Sequence, residues 1–435
     1  MSIKKVIYYL LFVAFFVSCS DSYVGIDYKD DTKDTLNYET IYDKVPIMMS
    51  LNNPYYISTN RGVGAIDPDR EWVWNNLTFY VYSFLANNYA YNGAIDYRAT
   101  YNPLIEEDRN NPWQCLVDDP ETGLGAPTKI NYDETLDFVG RDAAYYYSQT
   151  NQEHKYNFFA YTIDDAQILN DRAVREKERI YLDIKIDGTQ DVICSVARPT
   201  QSQLESLDPT ANKWFATNVL NGELLYSTTT GHRSIFPVFD AKHCLSRFVF
   251  NLVGEDAMSD KIYVEDIYVK AHRDWRLTVA ANDTSRLGMT MIPGVTEELE
   301  EIHLCEIPED GETVDGTQTA LTPLKHSVGK NEIINNFGLG LLLPPREQYD
   351  LYIACAFQST DGKIRRYLAR YDLKNRTVLP DGTNKYYPFV AGSEYQVTIH
   401  IYGYQPIKLS MDGLDWGEPE FIPIDDENVE YDEFK

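Results

Sequence analysis

The sequence predicts an all-β protein with two β-sandwich domains in tandem. Short runs rich in β-branched and aromatic residues recur along the chain, separated by clusters of Gly, Asn, Asp and Pro, which is typical of β-sandwiches. Tyr accounts for 34 residues and suits half-buried sheet faces. Helical periodicity is scarce, so we expect few short helices, one of them at Gly140–Thr150. The 435 residues exceed what one hydrophobic core normally serves, which indicates two domains.

The predicted strands fall into two sets. The first set comprises Leu77–Leu85, Tyr156–Ile163, Arg179–Ile186 and Asp191–Val196. The second set comprises Cys244–Leu252, Lys261–Lys270, Trp275–Ala280, Tyr349–Phe357 and Tyr395–Tyr402. Between the sets, Arg198–Arg233 is polar and has no clear period, so it is predicted to connect the domains. We place the domains at residues 62–220 and 221–416, with an acidic tail at 417–435.

The first 18 residues resemble a secretory signal peptide. Lys4 and Lys5 precede the apolar run Val6–Val17, which is shorter than the roughly 20 residues of a membrane-spanning helix. Ser18 and Cys19 follow, and a small residue directly before Cys is the lipobox pattern of bacterial lipoproteins, although Phe16 replaces the usual Leu. We predict that Cys19 carries the lipid, palmitate included. The alternative is an ordinary signal peptide with an unmodified Cys19.

Charge and cysteine content narrow the function classes. The chain has 39 basic and 67 acidic residues, a net charge of −28, which argues against nucleic-acid binding because phosphate contacts need Lys and Arg. The cysteines are Cys19, Cys115, Cys194, Cys244, Cys305 and Cys355. They form no CxxC pair, so a structural zinc site is not expected. With Cys19 lipidated, five cysteines remain. At least one of them must then be a free thiol, and one disulfide is possible.

Motifs of catalysis are missing from the sequence. It has no GxSxG, HExxH, phosphate-binding Gly-rich loop or EF-hand. The acidic pairs Glu106–Glu107 and Asp164–Asp165 could bind Ca²⁺ or serve as the two carboxylates of a glycosidase. Such pairs are expected by chance in so acidic a chain, so we interpret them as solvent-exposed surface residues. We interpret His243 as hydrogen-bonded and partly buried, and Tyr145–Tyr147 as packing between sheets rather than sugar stacking. We therefore predict no enzyme, no metal site and no cofactor.

Four blocks carry a family resemblance. They are the Leu77–Phe84 strand after a basic residue, Tyr156–Tyr161 (YNFFAY) after a Tyr-rich segment, the pattern His243-x-Leu245-x-Arg247-x-x-Phe250, and Phe389–Trp416 with Gly392 and Tyr395. In this order the chain resembles the fimbrillins of Bacteroidetes, the lipoprotein subunits of type V pili. The resemblance implies transthyretin-like Greek-key sandwiches, display at the cell surface in adhesion and biofilm formation, and no catalysis.

The family's mode of assembly adds expectations about the N-terminus. Fimbrillins are made as lipoproteins, a protease cleaves after a basic residue to release the first strand, and a strand of another subunit takes its place. Here Val45–Leu51 (VPIMMSL) is the removable strand that the resemblance implies. Arg61, in a Gly-rich stretch where proteolysis is favoured, is the predicted cleavage site, with Lys44 the runner-up and an uncut Arg61 the remaining alternative. Residues 19–61 would then be a lipidated propeptide.

The resemblance also implies which partners the protein has and where in the cell it is located. The partners are other fimbrial subunits through donor-strand addition, lipid during export, and a host or bacterial surface ligand, with no nucleic acid. The protein is expected at the outer membrane and then in the fimbrium. The acidic, Pro-containing tail is a poor donor strand and Asn87–Asn131 is loop-rich, which favours a tip or accessory subunit over a stalk subunit. The competing class is a glycan-binding outer-surface lipoprotein that does not polymerise, and a glycosidase is third.

Overall fold

A computed structural model describes the strands and many of their turns. It describes residues 45–52, 78–86, 115–117, 119, 123–131, 135–139, 145–147, 155–176, 179–198, 200, 203, 226–227, 230–231, 234–281, 283–294, 299–306, 322–323, 326–358, 363–378, 380, 383–402, 408–415, 418–422 and 430–433. The predicted residues Cys19, Lys44, Arg61 and Glu106–Glu107 lie outside these ranges. Among the described residues, no helix has the length and apolar character needed to cross a membrane.

The N-terminal part of the chain forms short and medium-length strands. In chain order they are β1 (Ser50–Asn52), β2 (Thr78–Ala86), β3 (Cys115–Val117), β4 (Ala126–Ile130), β5 (Leu136–Phe138), β6 (Lys155–Thr162), β7 (Gln167–Ile168), β8 (Val174–Arg175), β9 (Arg179–Lys185), β10 (Ile193–Val196), β11 (Val238–Asp240) and β12 (Lys242–His243). The four strands predicted in the first set are confirmed as β2, β6, β9 and β10.

The C-terminal part contains the longest strands. They are β13 (Ser246–Gly254), β14 (Ile262–Ala271), β15 (Asp274–Ala281), β16 (Gly288–Met291), β17 (Glu300–His303), β18 (Cys305–Glu306), β19 (Thr322–Pro323), β20 (His326–Ser327), β21 (Ile333–Leu343), β22 (Gln348–Gln358), β23 (Ile364–Val378), β24 (Asn384–Tyr387), β25 (Ser393–Ile401), β26 (Lys408–Asp415), β27 (Glu418–Ile422) and β28 (Glu430–Glu433). The five strands of the second set are confirmed. Single 3-10 turns occur at Ser259–Lys261 and Thr284–Arg286.

One sheet lies between two hydrophobic cores. Its strand order is β12-β10-β6-β2-β4-β5, with β3 also paired to β2. Along β2, Phe79 and Val81 belong to one core, whereas Tyr82 and Phe84 belong to the other. Side chains alternate between the faces of a strand, so burial on both faces explains the nearly unbroken apolar sequence of this strand.

A second sheet covers one face of the first. Its order is β16-β15-β9-β7, with β8 on β9, and Leu182 and Leu277 pack in its core with Phe159 of β6. The guanidinium of Arg276 on β15 donates two hydrogen bonds to the Asp183 carboxylate on β9, at 2.7 and 2.9 Å. Strands from both sides of the predicted boundary at residue 220 therefore pair here. The predicted bounds of the two domains stay predictions.

The C-terminal strands form two sheets around a shared core. The sheet orders are β21-β13-β25-β26-β27 and β17-β14-β22-β23-β24, with β20 on β14 and β28 on β23. Phe248, Val397, Ile267, Leu351 and Leu373 belong to this core. The all-β class is thus confirmed, while the transthyretin-like Greek-key connection stays a prediction.

One local expectation is corrected. The predicted helix at Gly140–Thr150 is wrong for the described residues 145–147, because Tyr146 forms an antiparallel bridge with Pro46 and packing of the buried Tyr147 overrides local propensity. The acidic tail contributes two strands in its described part. There β27 pairs with β26, and β28 pairs with β23.

Candidate functional site: an N-terminal strand in an apolar groove

Residues 45–52, which we call the N-terminal segment, are extended with one buried face. Val45, Ile47, Met49 and Leu51 are all buried, and Met49 and Leu51 are only 2% exposed. Met48, between two of them, is 51% exposed. This period of two is that of a strand with one face on the core. The segment covers the predicted strand Val45–Leu51, of which the structure assigns Ser50–Asn52 to a strand; that the segment is removable stays a prediction.

The backbone of the N-terminal segment bonds to chain on both sides. On one side β1 runs parallel to β11, with Leu51 opposite Phe239, and the Ser50 N–H donates to the Pro237 carbonyl at 3.1 Å. On the other side the Ile47 N–H donates to the Tyr145 carbonyl at 2.9 Å. The segment is therefore an inserted strand whose hydrogen bonds are made to neighbours far away in sequence.

Two carbonyl groups of the segment, those of Val45 and Met49, also accept backbone hydrogen bonds from residues far away in sequence. The Leu136 N–H donates to the Met49 carbonyl at 3.0 Å, and the Tyr147 N–H donates to the Val45 carbonyl at 3.1 Å. If the segment left, these donors would lose their acceptors. Buried backbone groups without partners are costly, so the emptied site would favour another extended strand.

The groove beneath the segment is apolar. The buried side chains of the segment share one core with Phe79, Val81, Ile130, Phe158, Ala160, Ile193, Tyr226 and Phe239, which belong mainly to β2, β4, β6, β10 and β11. Tyr147 closes one end, with its ring 5.9 Å from Tyr156 and 6.2 Å from Phe158 between centroids. Burial, with the neighbouring Tyr226 and Tyr156, raises the pKa of Tyr147 well above its usual range. The ring is therefore neutral at physiological pH.

Cleavage of the chain after the segment would release it from covalent attachment. The segment ends at Asn52 and the next described strand begins at Thr78, and Arg61 lies between them in sequence. A cut after Arg61 would leave the segment without a covalent link to the chain that follows, so that non-covalent contacts such as those described above would hold it. A cut after Lys44, the runner-up, would leave it attached to the rest of the chain. The two predicted cleavage sites therefore have opposite consequences.

Two blocks of the family resemblance meet in the structure. The Arg247 Nη1 atom lies 2.8 Å from Oε2 of Glu394, its direct partner across the β13–β25 pair. The Gly392 N–H donates to the Leu245 carbonyl at 2.8 Å; Gly392 has a φ of +75°, which glycine adopts without a steric penalty. The His243 block and the Phe389 block therefore form one structural unit.

The aromatic residues of these blocks form a cluster. The ring of Phe248 lies 4.9 Å from that of Phe389 and 5.5 Å from that of Tyr395. The Tyr395 hydroxyl accepts a hydrogen bond from the Val390 N–H at 3.0 Å. Packing therefore accounts for the aromatic positions of this block, which stabilise the C-terminal sandwich.

The other residues that the sequence singled out lie in the packed interior or in a turn. The Nδ1 atom of His243 lies 2.9 Å from Oδ1 of the buried Asp191, so His243 is hydrogen-bonded as interpreted, and it is buried rather than partly buried. Tyr147 is buried and Tyr145 packs edge-on against Phe138, as expected for packing. Asp164 and Asp165 form the turn after β6. Among the described residues, no group of three or more His, Cys, Asp or Glu side chains is placed to hold a metal ion.

The sequence did not reveal the walls of the groove. Tyr145, Leu136 and Pro237 contribute through their backbone atoms, which carry no residue-specific signal. Gly231 contributes through the absence of a side chain, since a β-carbon there would lie 2.4 Å from Cγ1 of Val45. A glycine in a polar linker has no distinguishing pattern, so this contact becomes visible only in three dimensions.

Comparison with known proteins gives distant structural likenesses. No family model matches the chain, and no curated protein matches it. A candidate cell adhesion protein from Bacteroides uniformis is similar, with 12% identity, a TM-score of 0.41, and 86% of this chain and 98% of that one covered. One from Bacteroides ovatus has 11% identity, a TM-score of 0.38 and coverage of 88% and 99%. The fimbrial anchor protein Mfa2 from Porphyromonas gingivalis has 8% identity, a TM-score of 0.26 and coverage of 87% and 98%.

Proposed function

We propose that this chain is a structural subunit of a cell-surface fimbrium and has no catalytic activity. It is exported as a lipoprotein through Cys19, reaches the outer membrane, and is processed after Arg61. The observation that carries the proposal is the N-terminal segment, whose alternate side chains fill an apolar groove between backbone partners on both sides. The sequence resemblance to fimbrillins supplies the biological setting.

The groove would require a replacement strand. Burial of four side chains of this size contributes roughly 6–12 kcal/mol before the entropy cost of ordering the segment. Release of the segment would expose this apolar surface and the edge of β11. An extended strand of another subunit, with apolar residues at every second position, would restore both sets of interactions by β-augmentation. The proposed partners are therefore neighbouring fimbrial subunits.

We place the chain at the tip or in an accessory position. In its described part the tail pairs with the chain's own sheets, as β27 on β26 and β28 on β23. A stalk subunit would need a C-terminal strand to offer to its neighbour. The tail is also acidic, and Pro419 cannot donate a ladder hydrogen bond. These features support a subunit that accepts a strand without donating one, and that contacts a host or bacterial surface ligand.

The proposal is tested in the bacterium that makes the protein. Arg61→Ala should leave the chain at its full lipidated length and remove it from surface filaments, as seen by immunogold electron microscopy. Arg70→Ala is the matched control, since Arg70 lies in the same stretch, and should leave assembly unchanged. Filaments that contain the Arg61→Ala chain at the normal level would contradict processing at Arg61. A wild-type chain that keeps its lipid and never enters filaments would favour the glycan-binding lipoprotein instead.

A further inference from the structure

Two buried cysteines of the described chain face each other. The Sγ atoms of Cys194 and Cys244 lie 3.4 Å apart, and the residues are only 6% and 7% exposed. Cys194 belongs to β10, and Cys244 follows β12 directly. We propose that Cys194 and Cys244 form an intramolecular disulfide when the folded chain is in an oxidising compartment. The cross-link does not depend on the proposed function.

Backbone geometry brings the two sulfurs together. In the β10–β12 pair, Cys194 lies opposite Lys242, so Cys244 is two positions further along, on a diagonal. Diagonal Cα atoms in a regular ladder are about 7–8 Å apart, which is slightly beyond the usual span of a disulfide. Here, however, the chain bends at Cys244, while the Cys244 N–H still donates to the Val192 carbonyl at 2.8 Å. The bend directs the Cys244 side chain towards Cys194.

Closure requires only a small movement. A disulfide bond is about 2.05 Å long, so the sulfurs must approach each other by little more than an ångström from their observed separation. The other described cysteines belong to other elements: Cys115 lies on β3 opposite Phe84 of β2, Cys305 is half-buried on β18, and Cys355 lies in the core of the C-terminal sandwich. The geometry of the described cysteines therefore favours the pairing of Cys194 with Cys244.

A cavity beside the pair gives a small oxidant access. It has a volume of about 410 Å³ and its lining includes Cys194, Cys244, His243, Trp275 and Met289. The hydrogen bond with Cys194, together with burial, raises the pKa of Cys244 well above its usual range. The Cys244 thiol is therefore protonated at neutral pH. Because the thiolate is the nucleophile, oxidation should accelerate as the pH rises.

The reaction is thiol–disulfide exchange with a small disulfide such as oxidised glutathione. One cysteine thiolate attacks a sulfur of the oxidant, forming a mixed disulfide and releasing one glutathione thiolate. The second cysteine thiolate then attacks the protein sulfur of the mixed disulfide and releases the other glutathione. The two protons lost by the cysteines are taken up by the two glutathione thiolates. The protein pair loses two electrons, and the oxidant gains them.

The cross-link would reinforce the strand that borders the groove. Beyond Cys194, the same antiparallel run continues, as Ala197 bridges Phe239 of β11 and the Arg198 N–H donates to the Val238 carbonyl at 2.8 Å. The disulfide would tie β10 to the end of this run. It would thus hold β11, the strand that pairs with the N-terminal segment, against the main sheet.

The test uses the folded full-length chain. After incubation with a mixture of oxidised and reduced glutathione, free thiols are alkylated and the protein is digested with trypsin without reduction. We expect a peptide of residues 186–213 joined to a peptide of residues 243–247, with the loss of two hydrogen atoms. Alkylation of both cysteines as free thiols, or a bond from either one to any other cysteine of the chain, would overturn the proposal.

Variants and thermal unfolding provide independent readouts. Cys194→Ser should abolish the joined peptide, whereas Cys355→Ser, at a buried but distant cysteine, should leave it intact. Closing a loop of this length should raise the Tm of the oxidised chain by about 5 °C over that of the reduced chain. Loss of this difference in Cys355→Ser but not in Cys194→Ser would contradict the assignment. If a variant fails to fold, the peptide map of the wild-type chain still decides.

Discussion

Gly231 leaves the space that Val45 occupies. A β-carbon at Gly231 would lie 2.4 Å from Cγ1 of Val45 and 3.4 Å from Cε2 of Tyr147. The first of these distances is far inside van der Waals contact. The fold thus has its smallest residue where the first buried side chain of the N-terminal segment enters the core, and the fit of the segment can be tested from either partner.

Gly231→Ala should weaken the packing of the N-terminal segment against the core. The added methyl group forces Val45 or Tyr147 to shift, and overpacking of this kind costs about 1–3 kcal/mol. We expect a lower free energy of unfolding in denaturant and faster proteolysis of the chain ahead of β1. Val45→Ala in the Gly231→Ala background should recover part of the loss, because it restores the space. Simple addition of the two single effects would show that the contact does not matter.

Adjacent methionines provide a matched test of the inserted strand. Met49 is 2% exposed and Met48 is 51% exposed. Met49→Ala should therefore lower the free energy of unfolding by about 2–5 kcal/mol, whereas Met48→Ala should change it by no more than about 0.5 kcal/mol. Chemical denaturation of both variants measures the difference. Equal effects would mean that the segment does not present one face to the core.

Acidification should weaken the link between β9 and β15. Burial by itself raises the pKa of Asp183, but hydrogen bonds from Arg276 and Asn170, with the charges of Arg276 and Arg179, outweigh it and hold the pKa below the ordinary 3.8. A carboxylate with a lowered pKa stabilises the fold above its unfolded-state pKa, and this stabilisation is lost as the pH falls through the folded-state value.

Asp183→Asn removes this titration. The wild-type chain should be more stable than the variant at pH 7, and the gap between their free energies of unfolding should close as the pH falls below 3.8, the ordinary value. Denaturant titrations at a series of pH values measure this gap. A gap that stays constant down to the lowest pH would show that the ionised carboxylate is not what stabilises the pair.

The half-buried pair of Arg247 and Glu394 should matter more than an exposed one. Their side chains are 13% and 20% exposed, and removing one partner leaves the other charge uncompensated, a loss that reaches about 3–5 kcal/mol when a pair is fully buried. Arg247→Ala should thus strongly destabilise the C-terminal sandwich. Arg366, which is 57% exposed and pairs with Glu265, is the control, and Arg366→Ala should leave the unfolding midpoint unchanged. Similar midpoints for both variants would contradict this account.

The strands predicted from the sequence were recognisable because their residues alternate or are apolar throughout. β2 and β25 are of this kind. β23 was not predicted, since its sequence IRRYLARYDLKNRTV is rich in charge. Its full-length antiparallel pairing with β22 supplies the hydrogen bonds, and its buried positions Ala369, Tyr371 and Leu373 are diluted by outward-facing Arg and Lys. In this strand, pairing with β22 in the folded sheet determines the β conformation, which the local composition does not indicate.

The candidate site was only half predictable. The family resemblance implied an extended strand at Val45–Leu51, but only the structure shows that its alternate side chains are buried. The partners of that strand come from residues near 136, 145 and 237, contributed by backbone atoms and by a glycine. Pairing over such sequence distances is fixed by the whole fold, so no local pattern reveals it. The role of Arg61 stays a prediction, because that residue lies outside the described part of the chain.

The first residue of the chain in surface filaments tests the central claim most directly. Filaments sheared from the bacterium are purified, and the N-terminus of this subunit is determined by Edman sequencing and by mass spectrometry of its terminal peptide. Our account predicts a chain that begins at Gly62 and lacks residues 45–52, with its groove filled by a strand of another subunit. A filament subunit that still contains Met49 and Leu51 would contradict it.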